Sequence, residues 1–259
     1  MSSTAKRTKA KSGLAIGALS AALGLGELSQ TAIAQEKANM SESAAASVSE
    51  ALNVRQQAIV PVAAFAAAGD IAGLSTALNQ GLDAGMTISD AREVLVQLYA
   101  YAGFPRSLNA LAELMKMVDA RKAKGIQDAP GSEPSHPVPK GDALLAAGTE
   151  NQTKLAGAVV AGPLFDFAPM ANEYLRRHLF GDIFERDNLD WQSRELATVS
   201  MLAALPGTEA QLQAHMRMSM NTGVSTAQLR QLTQVLGERV NDETSERARQ
   251  ALERHLASQ

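Results

Sequence analysis

The stretch Thr208–Ser225, TEAQLQAHMRMSMNTGVS, reads as one helix followed by its own stop signal. Thr208 to Thr222 carry apolar residues at helical spacing. Gly223 supplies the left-handed residue that ends the helix, and Ser225 with Gln228 three residues on forms a capping box that opens the next. The same punctuation stands 138 residues earlier, where Gly85-Met86-Thr87 is followed by Asp90. In that register Leu74 falls on Leu212, Leu82 on Met220, Leu98 on Leu236 and Asp70 on Thr208. Leu95 falls on Thr233, so identity is low while punctuation agrees. A helix–turn–helix unit used twice accounts for this pattern.

Outward from that unit, the rest of the chain is also helical in pattern. Val54 to Lys124 is broken only at Gly69-Asp70, Gly85-Met86-Thr87 and Gly103-Phe104-Pro105, each a natural helix boundary. Residues 125–141 hold Pro130, Pro134, Pro137 and Pro139 among small polar residues and read as an exposed, extended linker. After it, helices are expected over 142–160, 168–184, 190–205, 208–222, 225–237 and 242–256. No segment alternates as a strand would. The composition agrees: 259 residues contain 47 Ala and only 4% aromatics, which favours closely packed helices. The fold expected is all-α, with helical modules at 35–124 and 142–259.

The first 34 residues read as an export signal. Lys6, Arg7, Lys9 and Lys11 precede an apolar run from Gly13 to Gly26, and Ala32-Ile33-Ala34 offers a cleavage site before Gln35. The run is too short to span a bilayer, which takes about 20 helical residues, and no later stretch reaches that length. Cleavage would place the protein in the periplasm or outside the cell. It would remove those four cations and Glu27, taking the net charge from −3 to about −6. Such a balance gives no electrostatic basis for binding nucleic acid. The chain has no cysteine, which excludes disulfides, thiolate nucleophiles and Cys-ligated metal.

Candidate chemistry lies in the second half. With the turn centred on Gly207, His215 lies 8 residues after it and Glu195 lies 12 before it. At 1.5 Å rise per residue their heights on antiparallel helices differ by about 6 Å, within reach of two long side chains. A carboxylate beside an imidazole fixes its tautomer and makes an acid/base pair. A buried polar pair that only braces the hairpin satisfies the same spacing, and both readings stand.

The run Arg194-Glu195-Leu196-Ala197-Thr198, continued through Glu209 and His215 to Asn221-Thr222-Gly223-Val224-Ser225, resembles the carboxymuconolactone decarboxylase family, which includes the alkylhydroperoxidase D-like proteins. The first half resembles it through Gly85-Met86-Thr87, Glu93-Val94-Leu95, Tyr99-Ala100-Tyr101-Ala102-Gly103-Phe104-Pro105 and Asn109. The resemblance implies an all-helical module that assembles into homo-oligomers such as trimers or hexamers, with Glu195 and His215 functional. It places the thiol pair of peroxidase members at Thr208 and Gln211, so thiol peroxidase chemistry is disfavoured.

The decarboxylase branch needs no cysteine. Loss of CO₂ from a carboxylated lactone leaves an enolate, which His215 would stabilise and protonate. Glu195 would orient His215, and Arg194 would clamp the substrate carboxylate. The two signatures are split, since Ala77 stands at the His215 position and Gln57 at that of Glu195, while the second half lacks a Tyr-x-Gly-Phe-Pro equivalent. One site per chain, composite between halves or subunits, is the economical inference.

No cofactor and no metal site is expected, because the remaining histidines lack ligand spacing. His136 reads as solvated in the linker, His255 as surface, and His178 as the more interesting of the three. Arg217 lies on another side of its helix from His215, and the ten methionines read as packing residues. Three functions are compatible with these residues: a cofactor-independent decarboxylase acting on a small carboxylated lactone or keto acid, a non-catalytic helical oligomer or small-molecule binder, and an antioxidant that works without thiols.

Overall fold

A computed structural model describes residues 51–258, which form eleven α-helices and one π-helix, with no strand among the described residues. The export signal read at 1–34 lies outside the described residues. The first half comprises α1 (Val54–Ala68), α2 (Ile71–Asp83), α3 (Ile88–Gln97) and α4 (Tyr99–Ala123). The second comprises α5 (Asp142–Ala156), α6 (Pro163–Phe167), α7 (Pro169–Tyr174), the π-helix Leu175–Ile183, α8 (Trp191–Ala203), α9 (Glu209–Asn221), α10 (Thr226–Arg239) and α11 (Asp242–Ala257).

The 138-residue register carries α2 onto α9 from first residue to last. Thr87 and Ser225 each close a capping box, with Asp90 and Gln228. The turns between are built alike: the Met86 amide donates to the Gly81 carbonyl at 2.9 Å, and that of Val224 to Ser219 at 3.0 Å. Ser107 and Ser245 each donate to a carbonyl twelve residues back, both at 2.7 Å. Gly103 interrupts α4 with a positive φ of 81°, the break expected there, but the chain re-enters the helix at once.

The centre of the molecule is the crossing of α1 with α8. Ile59, Val60, Val62, Ala63, Ala64 and Ala67 of α1 are fully buried, as are Leu196, Ala197, Val199, Met201 and Ala203 of α8. A helix apolar on all sides, as α1 is from Ala58 to Ala68, belongs inside a fold rather than on its surface. The six alanines of α1 present little bulk, so the two axes can lie close together.

A smaller cluster of Leu155, Leu179, Phe180, Ile183, Phe184 and Met218 joins α5 and the π-helix to α9. Here the structure corrects an expectation: 168–184 is not a single α-helix but α7 followed by nine π-helical residues. The cause is the close approach of α5. A Cβ on Gly148 would lie 1.8 Å from the Arg176 carbonyl oxygen, and one on Gly181 would lie 2.7 Å from Leu144. The Phe180 carbonyl, inside the π-turn, accepts a hydrogen bond from buried Asn151 at 2.9 Å. Widened turns of this kind are rare and concentrate at functional sites.

Residues 126–141 carry no helix, and the segment is fastened rather than loose. The Ala129 and Pro130 carbonyls accept the first two amides of α3, from Ile88 and Ser89, each at 3.0 Å. These are amides that a helix start leaves without intrahelical partners. Buried Arg121 holds Asp128, also in this segment, through Nε and Nη2 at 2.8–3.1 Å.

Substituting Gly148→Ala should force α5 off the π-helix, because the new methyl meets backbone rather than a side chain that can turn away. The expected loss is about 1–3 kcal/mol. Urea unfolding should show a lower midpoint at unchanged slope.

Candidate active site

The hairpin of α8 and α9 brings Glu195 and His215 together as the spacing predicts. His215 Nδ1 lies 2.8 Å from Glu195 Oε2, with Glu195 wholly inaccessible and His215 only 7% exposed. A hydrogen bond of this length between buried groups fixes both side chains. It commits Nδ1 to the carboxylate and leaves Nε2 outside that contact. The second carboxylate oxygen, Oε1, is buried without a hydrogen-bond partner among the described residues. Interiors seldom tolerate such an atom, and each case calls for an explanation, a catalytic role among them.

The first half contributes to the same place. The ring of Tyr101, from the turn of α4 just before Gly103, stands edge-on to the His215 imidazole, 5.7 Å between centroids at 79°. Its hydroxyl lies 3.2 Å from Thr198 Oγ1, and that oxygen accepts from Gln97 Nε2 at 2.7 Å. Burial first, and then the negative charge of Glu195, push the Tyr101 phenol well above its usual range. The phenol therefore stays protonated at any working pH. The two split signatures of the sequence thus meet within one chain: the Tyr-x-Gly-Phe-Pro end of the first half faces the Glu/His end of the second.

Arg194 is placed differently from its expected role as a substrate clamp. It is fully buried, and Nη2 donates to Glu93 Oε2 at 3.0 Å and to the Arg186 carbonyl at 2.8 Å. Nη1 donates to Gln97 Oε1 at 3.3 Å. Arg186 also grips Glu93, through Nε at 2.9 Å and Nη2 at 2.6 Å. Burial alone would raise the Glu93 pKa, but hydrogen bonds from Arg186, Asn188 and Arg194 prevail and hold it near 2. With this carboxylate and carbonyl already occupying the fork, Arg194 acts as the brace between α8 and α3 and is not free to meet a ligand.

The other candidates separate clearly. His136 is exposed in the linker, 3.9 Å from Asp187. His178 is on the surface of the π-helix, with Nδ1 3.1 Å from Asp182. His255 is buried, contrary to its reading as a surface residue: Thr244, Ala248, Ala251, Leu252 and His255 make the inward stripe of α11. Burial and the charge of Arg217 lower its pKa. Thr208, at the first expected thiol position, donates to the Leu202 and Leu205 carbonyls, and Gln211, at the second, is exposed. No group of His and acidic residues suited to a metal ion occurs among the described residues.

Reading the sequence missed Gln97, Thr198 and the pairing of Glu93 with Arg194. Glu93, Tyr101 and Thr198 all stand within the quoted motifs, yet nothing local shows what they touch.

The sequence profile of the carboxymuconolactone decarboxylase family matches the chain twice, over residues 36–115 and 169–254. Together these stretches cover more than half of it. No curated protein matches the chain.

Glu93→Gln would keep the shape but leave the Arg194 charge buried and unpaired, at a cost of about 3–5 kcal/mol near neutral pH. The native pKa near 2 lies below the ordinary 4.5. The stabilisation is therefore complete above 4.5 and is lost as pH falls from there towards 2. Urea unfolding of both proteins across that range should show the wide neutral gap closing at the acid end.

Proposed function

The chain belongs to the carboxymuconolactone decarboxylase family, and on that premise we propose that it performs cofactor-independent acid/base chemistry with His215 and Glu195. The substrate class proposed is a small carboxylated lactone or keto acid, and the reaction is decarboxylation. The observation that carries this reading is the buried 2.8 Å contact between His215 Nδ1 and Glu195 Oε2. As the bond from the α-carbon to the carboxylate breaks, its electron pair moves into the conjugated carbonyl and CO₂ departs. An imidazolium held by Glu195 presents its Nε2 proton, first as a hydrogen bond to the developing enolate and then to carbon. Tyr101, a neutral phenol edge-on to the imidazole, suits a second donor to the same oxygen.

The thiol peroxidase chemistry of related proteins has no support, because no sulfur nucleophile stands anywhere in the sequence. A second reading, a binding module without turnover, draws on the placement of Arg194. Its occupied fork leaves a substrate carboxylate without the bidentate partner that a decarboxylase site would profit from.

His215→Ala and Glu195→Gln should each lower kcat on a panel of carboxylated lactones and keto acids by about 10²–10⁴-fold. Tyr101→Phe should cost less and leave KM largely unchanged. Absence of turnover by the wild type across that panel would exclude the decarboxylase reading and leave the binding module. Export through residues 1–34 is part of the same proposal. N-terminal sequencing of the protein recovered outside the cytoplasm should begin at Gln35.

A further inference from the structure

Gln97, the last residue of α3, is fully buried against α8, and the direction of its side-chain amide is fixed by what surrounds it. Its Oε1 faces Arg194 Nη1 at 3.3 Å, and a guanidinium can only donate. Its Nε2 faces two acceptors, the Arg194 carbonyl at 2.9 Å and Thr198 Oγ1 at 2.7 Å. The reversed amide would set donor against donor and acceptor against acceptor. Both Nε2 hydrogens are therefore spent, one of them on the Thr198 hydroxyl.

That orientation decides where the single hydroxyl proton of Thr198 goes. Two oxygens lie within reach, the Arg194 carbonyl at 3.0 Å and Tyr101 Oη at 3.2 Å. The carbonyl sits inside α8, where the backbone amide of Thr198, one turn on, is its helical donor. With Gln97 Nε2 as the second donor, both of its lone pairs are filled. Tyr101 Oη remains, so Thr198 donates and Tyr101 accepts. The opposite direction would leave a buried hydroxyl proton with nothing to bond, since Thr198 has no exposed surface.

We propose that Thr198 is a positioning residue, which sets Tyr101 to donate a hydrogen bond to a carbonyl or enolate oxygen of the ligand. Because the phenol oxygen accepts from Thr198, its own proton is not held there. Among the described residues the Tyr101 hydroxyl has no other hydrogen-bond partner, and its ring stands edge-on to the His215 imidazole. Arg194, Gln97, Thr198 and Tyr101 thus form one directed series, each donating to the next, with a fixed cation at its head. Hydrogen bonds in series polarise one another, which strengthens the last donor, the phenol. Gln97 and Thr198, both without exposed surface, act through Tyr101. The identity of the accepting oxygen rests on the acid/base reading of His215, whereas the direction of the series does not.

The direction can be read from the phenol C–O stretch of Tyr101 in the infrared, isolated with ring-labelled tyrosine by subtracting the spectrum of Tyr101→Phe. Accepting a hydrogen bond weakens that C–O bond, and donating one strengthens it towards its phenolate character. Thr198→Val should therefore move the band to higher frequency, while Thr198→Ser, which keeps the hydroxyl, should show the wild-type band. A move to lower frequency, or no move, would overturn the proposal. Thr198→Ala answers the same question if the valine variant does not fold. On the panel of carboxylated lactones and keto acids, Thr198→Val should lower kcat on the order of 10-fold at unchanged KM, and Thr198→Ser should restore it. In a Tyr101→Phe background the valine substitution should cost nothing more, because its effect runs through the phenol. Additive losses would overturn the proposal as well. A wild type without turnover would remove the decarboxylase reading alone, and the infrared shift then decides this one.

Discussion

A guanidinium without access to water is among the most costly groups a protein interior can hold, and Arg194 has no exposed surface at all. Glu93, from the other half of the chain, makes it tolerable. That pair carries a constraint that local helix chemistry cannot supply, because neither half can close its core alone without stranding a charge. Arg186 also holds the carboxylate and Gln97 the guanidinium, while Arg194 Nε stays buried without a hydrogen-bond partner among the described residues. The alanine-rich crossing of α1 and α8 gives the halves a surface on which to meet. The ion pair fixes how they are registered on it.

The same pair reaches the candidate site through one residue of backbone. Arg194 and Glu195 are consecutive on α8, so their side chains leave the helix about 100° apart. One is fixed on α3, the other on α9. Gln97 strengthens the coupling by bonding the Arg194 guanidinium, the Arg194 carbonyl and the Thr198 hydroxyl, one turn further along the helix. Rotation of α8 that moved Glu195 off His215 would have to break the contacts of Arg194 as well. The orientation of Glu195 towards His215 is thus set by side chains outside the pair.

What could be read from the sequence follows from how far each signal travels along the chain. Helix boundaries were legible because caps are local: Thr87 with Asp90 and Ser225 with Gln228 act across three residues. The Glu195–His215 contact was legible because one short turn joins their helices, so counting from Gly207 places both. Arg194 was misassigned for the opposite reason. Its partner lies 101 residues away, and an arginine beside a candidate acid/base glutamate reads as a substrate clamp. The π-helix was hidden because its cause is the approach of Gly148 from another helix. His255 was misread because Glu253 and Arg254 beside it point outward and mask the buried stripe.

The meeting of Tyr101 with His215 has a consequence for how this chain can change. A duplicated gene ordinarily carries a spare, and damage to one copy is covered by the other. Here Ala77 and Gln57 occupy the places of the histidine and glutamate in the first half, while the second half lacks the tyrosine motif. Each half holds one of the two signatures and lacks the other. Neither half repeats the arrangement by itself, so parting the halves would part Tyr101 from His215.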